Sequence, residues 1–369
     1  MLYQKIVIAG GGIIGNSIAY YLAKEHQTKC TIIDCAGIAP AASGKAGGFL
    51  ARDWSDSNLL GELQRHSFDL HAEIASDLGE DIVEYRRLTC AMVAIDGIIR
   101  EKPTGKKLQG VEWADLGVKG SQSMGGEDTI AQVHPKKLCD ALFGYAQRTV
   151  GTELIRGRIV NAVMEDGSVA GVTLEDGSVV DADAVVVACG PWTHEAQSWF
   201  GSELEASADA NSMEMYGTKY HSILVPSPRV LNQAVFFQGA GDPEVYPRPD
   251  GDAYITGFPE SPVVVTDRPG KEQLIPEAIS RLVAATKVVS SELGGIEPHT
   301  EQCCYLPTTV NGLPVIGKIP GVKKGGFVAS GHSCWGILNG PATGQAVADL
   351  LIKGNASKID LAPFDPRNR

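Results

Sequence analysis

The feature that most narrows the possible folds lies between Lys5 and Asp34, KIVIAGGGIIGNSIAYYLAKEHQTKCTIID. Lys5 to Ala9 is a short β-branched run, suited to a buried parallel strand. Gly10, Gly12 and Gly15 then form GxGxxG, with Ile13 and Ile14 completing the turn. Ile14, Ile18 and Leu22, with small Ala19 and Ala23, recur at helical period. Thr31 to Ile33 reads as a second strand that closes on Asp34. Gly10 suits the tight turn, Gly12 lets backbone approach a pyrophosphate, and Gly15 allows close packing of helix on sheet. The helix N-terminus offers free N–H groups to an anion, and Asp34 is spaced to accept ribose hydroxyls. This order predicts a Rossmann-type α/β unit that binds a dinucleotide. It does not choose NAD from FAD.

A chain of 369 residues exceeds one ordinary core, so two domains are expected. A net charge of -12 argues against nucleic acid or an anionic membrane as the main partner. The sequence has no apolar run of the roughly 18 residues a membrane helix needs, so no membrane insertion is expected. The strand pattern starts at once, giving no expectation of a cleavable leader, and DPRNR is no address tripeptide. Eight cysteines without framework or metal-ligand spacing suggest reduced thiols, a cytoplasmic setting and no metal. Oligomeric state is not legible. The adjacent pair Cys303-Cys304 is unsuited to pairing with itself, because so small a ring strains the backbone. Taken alone, it reads as two buried small hydrophobes.

Several later segments matter together. ASGKAGGFLAR (Ala42 to Arg52) is a small, flexible, anion-friendly loop after the second strand. Thr152 to Thr193 reads as three antiparallel strands with EDG turns, then a buried strand, Ala184 to Ala188. GLPVIG (Gly312 to Gly317) and ASGHSCWGILNGPATGQAVADLL (Ala329 to Leu351) follow, the latter ending in a helix. This order resembles the FAD-dependent oxidoreductases of the D-amino-acid oxidase superfamily, whose branches include glycine oxidase and monomeric sarcosine oxidase. The resemblance is thinner from Glu203 to Gln302.

The resemblance implies FAD and a set of site residues. Gly10, Gly12 and Gly15 would face the pyrophosphate, and Asp34 with Cys35 the adenosine ribose. Ser43, Gly44, Lys45, Ala46, Gly47 and Gly48 would line the pyrophosphate and flavin edge, and Val160 would present its backbone to the adenine. Cys189, Gly190 and Trp192 would lie near the cofactor. Gly331 to Leu338, including His332, Gly336, Ile337 and Leu338, would wrap the flavin's pyrimidine end, with the next helix aiming its positive end there. Read without the resemblance, Trp192 is a core aromatic and Lys45 a solvated loop cation.

A mixed-sheet α+β substrate domain would interleave with this unit. The expected division is 1–58, 130–202 and 303–369 for FAD, with 59–129 and 203–302 for substrate. Leu59 to Leu78 has helical spacing, and VYPRPDGDAYITGF reads as a hairpin turning at Pro249-Asp250-Gly251. The implied reaction moves a hydride equivalent from the carbon bearing an amine to flavin N5, with dioxygen reoxidising the flavin to give hydrogen peroxide. Two departures concern the substrate. The family's arginine before the first proline of LPTTVNGLPVIG is Leu306, and the sarcosine oxidase lysine position is Trp335. Arg52 is then a candidate replacement anchor, His332 a polar group near the flavin, and Trp335 an aromatic wall. Tyr246, Arg248 and His221 are weaker pocket candidates. Cys304 falls where the sarcosine oxidase branch links its flavin through a thioether, while glycine oxidase-like relatives have no such bond. Other readings left open are FAD chemistry on a hydroxy acid or biosynthetic intermediate, an NAD-dependent dehydrogenase, and a non-catalytic flavin binder.

Overall fold

The computed structural model describes residues 3–99, 102, 110–201, 213–258 and 262–368. Its first sheet has six strands in the order Val315–Lys318, Gly326–Ser330, Ala184–Val187, Ile6–Ala9, Cys30–Asp34 and Glu153–Arg156. All neighbours pair in parallel except the outermost Val315–Lys318. Both faces are covered, which is why the central strands Ile6–Ala9 and Ala184–Val187 are apolar throughout rather than alternating. Ile6 and Ile8 point into a core with the helices Ile13–His26, Gly61–Leu78, Pro135–Val150 and Gly336–Lys353. Val7 and Ala9 point the other way, onto a three-stranded antiparallel sheet, Ile159–Glu165, Ser168–Leu174 and Val179–Asp181. The first EDG turn puts Asp166 and Gly167 at φ 50° and 76°, a primed hairpin geometry that glycine makes cheap. Glu153–Arg156, expected among the antiparallel strands, instead extends the parallel sheet beside Cys30–Asp34.

The second sheet has eight strands and is mixed, with one parallel pair, Thr89–Ile95 beside Gln233–Gln238. The expected hairpin forms between Glu244–Pro247 and Asp252–Thr256. Alternation assigns its faces. Val235, Phe237, Val245, Ala253 and Ile255 pack with residues of the helix Pro276–Val289. Ala234, Phe236, Tyr246 and Tyr254 form the opposite face, together with Phe49 and Trp335 from the first half.

Two expected segment assignments change. The helix Gly61–Leu78 packs with the parallel-sheet core, where Leu63, Phe68 and Ile74 are buried. The boundary expected at 303 falls inside the strand Thr300–Thr308, which pairs with Tyr216–Pro226 along nine residue pairs of the second sheet.

Candidate active site

The first glycine turn is set by contacts a side chain would destroy. A Cβ on Gly10 would lie 2.3 Å from the Ala188 carbonyl oxygen, and one on Gly15 would lie 2.1 Å from the Gly10 carbonyl oxygen. Gly10 also has φ 114°, a region L side chains avoid. Asp34 ties the turn to the second strand: its carboxylate accepts the N–H groups of Gly11 (2.8 Å), Ala36 (2.8 Å) and Gly37 (2.9 Å). A carboxylate offers about four acceptor positions, so one remains for a hydroxyl. The Ile13 N–H, first in its helix, donates to Ser43 Oγ at 2.9 Å, which brings the Ala42–Lys45 turn against this helix end.

A large cavity of about 820 Å³ opens from this turn. Of the residues expected from sequence, Gly10, Gly12, Ile13, Ile14, Asp34, Ser43, Ala46, Cys189, Gly190, Trp192, Gly331, His332, Gly336 and Ile337 line it. A second space of about 510 Å³ shares Gly10, Asp34, Cys189 and Trp192 and runs on to Cys35, Gly157, Arg158 and Ile159. Together they form an elongated groove that meets the N-termini of two long helices, Ile13–His26 and Gly336–Lys353. Val160 does not line it; its side chain is exposed. It is the extra residue of a β-bulge, skipped between the pairs Asn161–Thr173 and Ile159–Leu174, which frees its backbone from the ladder.

The second helix end is held by an unusual device. Pro341 lies inside Gly336–Lys353 and lacks the N–H that would bond Ile337. His71 Nε2 sits 2.9 Å from that Ile337 carbonyl and donates to it, while the Ala342 N–H donates to Ser67 Oγ at 3.0 Å. Burial holds the His71 pKa down at about 4, opposed by the Ile337 and Leu338 backbone. His332, the cavity's polar candidate, bonds Thr343 Oγ1 at 3.0 Å, and burial lowers its pKa to about 3. It therefore stands at the cavity as a neutral imidazole.

Other candidates are placed elsewhere. Gly44, Gly47 and Gly48 do not line the cavity: the space their missing side chains leave is filled by Ala39 O, by the Tyr246 ring and by Val133 O. Lys45 is no solvated cation, since its ammonium bonds Glu272 (3.2 Å) and the Cys303 carbonyl (2.9 Å). Arg52 makes a two-pronged pair with Asp69, so it is committed on the surface. Leu338 is buried behind the cavity wall. Trp335 packs edge-on to Trp54 at 6.1 Å. Cys304 is buried and does not line the cavity; burial pushes its thiol up to about 12, opposed by Lys45. Tyr246 stacks between Phe49 and Tyr254. Arg248 donates to the Ala46 carbonyl, and the His221 ring accepts the Ile275 N–H.

Ser333 and Cys334, inside the expected segment Gly331 to Leu338, line the main cavity as well. Sequence reasoning missed Pro269 and Pro307 as lining residues, and the ion pair Arg158–Glu195 (2.8 Å) in the second space. Pro269 was out of reach, because nothing local marks a segment of the second half as crossing the groove.

Comparison with known proteins agrees with this geometry. The family described as "FAD dependent oxidoreductase" (DAO) matches residues 5–350, and the chain belongs to it. It is 28% identical to a putative oxidoreductase of Schizosaccharomyces pombe, over 98% of both chains. It is also 28% identical to a glycine oxidase of Geobacillus kaustophilus, over 97% of this chain and 95% of that one. The solved structure of glycine oxidase from Geobacillus kaustophilus superposes with a TM-score of 0.78 at 23% identity, covering 98% of each chain. This protein is therefore an enzyme, an FAD-dependent oxidoreductase, and the NAD reading is set aside. Among the described residues no helix is long and apolar enough to cross a membrane.

Proposed function

We propose that this enzyme oxidises the C–N bond of a small-molecule amine or amino acid, with dioxygen as the final electron acceptor. In balance, a primary amine, dioxygen and water become a carbonyl compound, ammonia and hydrogen peroxide. FAD, when bound, supplies the two-electron acceptor. The chain's own residues would bind and orient it: Gly10, Gly12 and the N-terminus of Ile13–His26 at the phosphates, Asp34 at a ribose hydroxyl, the Val160 bulge at the adenine, and the N-terminus of Gly336–Lys353 at the flavin's pyrimidine end. The residues named as lining the site divide between these two ends, which we read as a cofactor half and a substrate half.

The observation that carries the reading is the far end of the cavity. There Leu306, Pro307 and neutral His332 meet the helix end at Gly336 and Ile337. A donor must lose its ammonium proton before it can give up a hydride equivalent, and an apolar surrounding without a protonated side chain favours the neutral amine. Named relatives support the amine reading, among them the glycine oxidases and a 4-methylaminobutanoate oxidase of Paenarthrobacter nicotinovorans that is 23% identical over 98% of this chain. The chain spans only 46% of that last protein.

The test is an anaerobic screen of the FAD-loaded enzyme. At least one amine is expected to bleach the flavin band, with peroxide appearing when air is readmitted. Bleaching by hydroxy acids and by no amine would overturn the proposal in favour of the other donor class. We further propose that FAD is held by contacts alone, since Cys304 lies off the cavity wall. Acid precipitation should release all colour to the supernatant; colour kept in the pellet would establish the thioether.

A further inference from the structure

Between the strand Pro262–Val263 and the helix Pro276–Val289 the chain runs without helix or strand. Both roots of this segment belong to the second half. Pro262 and Val263 pair with Thr218 and Gly217, and the Ile275 N–H donates to His221 Nε2 at 3.1 Å. In between, the segment crosses to the FAD-binding half. Pro269 lines both spaces of the groove, and Asp267 lines the second. The two spaces share Pro269 besides Gly10, Asp34, Cys189 and Trp192, so the segment passes where they join.

Little apolar packing holds it there: Val264 is 94% exposed and Leu274 41%. Polar contacts hold it instead. The Thr266 carbonyl accepts the Trp192 Nε1–H at 2.6 Å. Arg268 pairs at 2.6 Å with Glu175, on the turn after Ser168–Leu174, and both side chains are open to water. Glu272 Oε2 accepts the Lys45 ammonium at 3.2 Å and the Gly270 N–H at 2.9 Å, and this carboxylate is almost wholly buried. Its other oxygen has no partner among the described residues. Arg268, Glu175, Glu272 and Lys45 line neither space, so what they hold is the segment and not a ligand in the groove.

A dinucleotide as long as the groove lies across both spaces, and so beneath a segment tied at both ends. It cannot enter or leave sideways while those contacts are made. An exposed ion pair is weak and screened by salt, whereas removing one partner of a buried pair is costly. We infer that residues 264–275 form a strap that must lift for FAD to exchange, with Arg268–Glu175 as its outer, salt-sensitive latch and Lys45–Glu272 as its inner one. The inference is independent of the electron donor and rests on FAD being held by contacts alone.

The test follows, in the holoenzyme, the exchange of bound FAD for isotopically labelled FAD, together with the absorption spectrum of the bound flavin. In the wild type, exchange should quicken about two- to fivefold from low salt to about 1 M NaCl, the worth of one exposed ion pair. Arg268→Gln and Glu175→Gln should each quicken low-salt exchange by the same factor, remove most of the salt dependence and leave the flavin spectrum unchanged. The double variant should go no further than either single one, because both remove one contact. Arg268→Lys, which keeps the charge, should keep the salt dependence. Glu272→Gln should quicken exchange about tenfold or more. Wild-type exchange indifferent to salt, or additive effects of Arg268→Gln and Glu175→Gln, would overturn the inference. Colour kept in the acid pellet would sink the contact reading of Cys304 and the strap with it. Colour released by acid, with one exchange rate in the wild type and every variant, would overturn the strap alone. If the variants retain too little FAD to measure, the wild-type salt dependence decides, and a flat rate overturns the strap.

Discussion

Two regions of the molecule are made of different materials. One is the groove, built on the turn at Gly10 to Gly15, the bulge at Val160 and the ends of two helices. The other is a cluster of side chains, Phe49, Trp54, Phe236, Tyr246 and Trp335, packed on the second sheet and outside the groove's lining. Backbone can grip a constant ligand such as a dinucleotide, because amides and helix dipoles do not depend on residue type. Side chains can change without unfolding the sheet, so replacements in the two regions should fail differently.

The largest effect is expected at Gly15. Gly15→Val places a Cβ where only 2.1 Å separates it from the Gly10 carbonyl oxygen. Overpacking of that severity costs about 3 kcal/mol or more, so soluble yield, melting temperature and FAD content should fall together. A yellow, stable Gly15→Val would break the division of labour. Next is Asp34→Ala, which leaves three backbone N–H groups without their acceptor. Half-buried groups regain water in part, so a loss of about 2 kcal/mol in denaturant unfolding is expected, with weaker FAD retention by equilibrium dialysis.

His71 sharpens the comparison through pH. Its folded pKa of about 4 lies below the ordinary 6.5, so between these values the unfolded chain binds the extra proton and stability rises with pH. The contribution is full above pH 6.5 and is lost as pH falls toward 4, amounting to about 3 kcal/mol by linkage. His71→Leu should flatten that part of the stability–pH curve while lowering stability at pH 7, because the Ile337 carbonyl loses its donor. An unchanged slope would remove His71 from the account. The smallest effect is Val160→Ala. Its exposed side chain should matter by less than about 0.5 kcal/mol, with FAD affinity unaltered; a loss of FAD would show that the side chain, not the bulged backbone, serves the adenine end.

The difference between the two regions also governs what could be read from sequence. The glycine turn, its helix and Asp34 are legible because steric limits tie glycine spacing to one backbone path. The hairpin at Asp250-Gly251 is legible for the same reason, with Gly251 at φ 96°. Glycines 44, 47 and 48 show the limit: the family resemblance implied that they line the ligand, yet their bare faces meet Ala39, Tyr246 and Val133. The second region draws on residues 49, 54, 236, 246 and 335, brought together where strands of two sheets and the segments beside them pack. No local pattern encodes that packing before pairing is known. Lys45 illustrates this too, since its partner Glu272 lies in a distant part of the chain.

The central claim is that the carbon beside the amine surrenders its hydrogen in this cavity. The most direct measurement is the anaerobic bleaching rate with the best amine of the screen, compared with the same amine deuterated at that carbon. A several-fold slower rate with deuterium is expected, at saturating amine and unchanged FAD content. Equal rates would mean that this C–H bond does not break in the reductive step, and would contradict it.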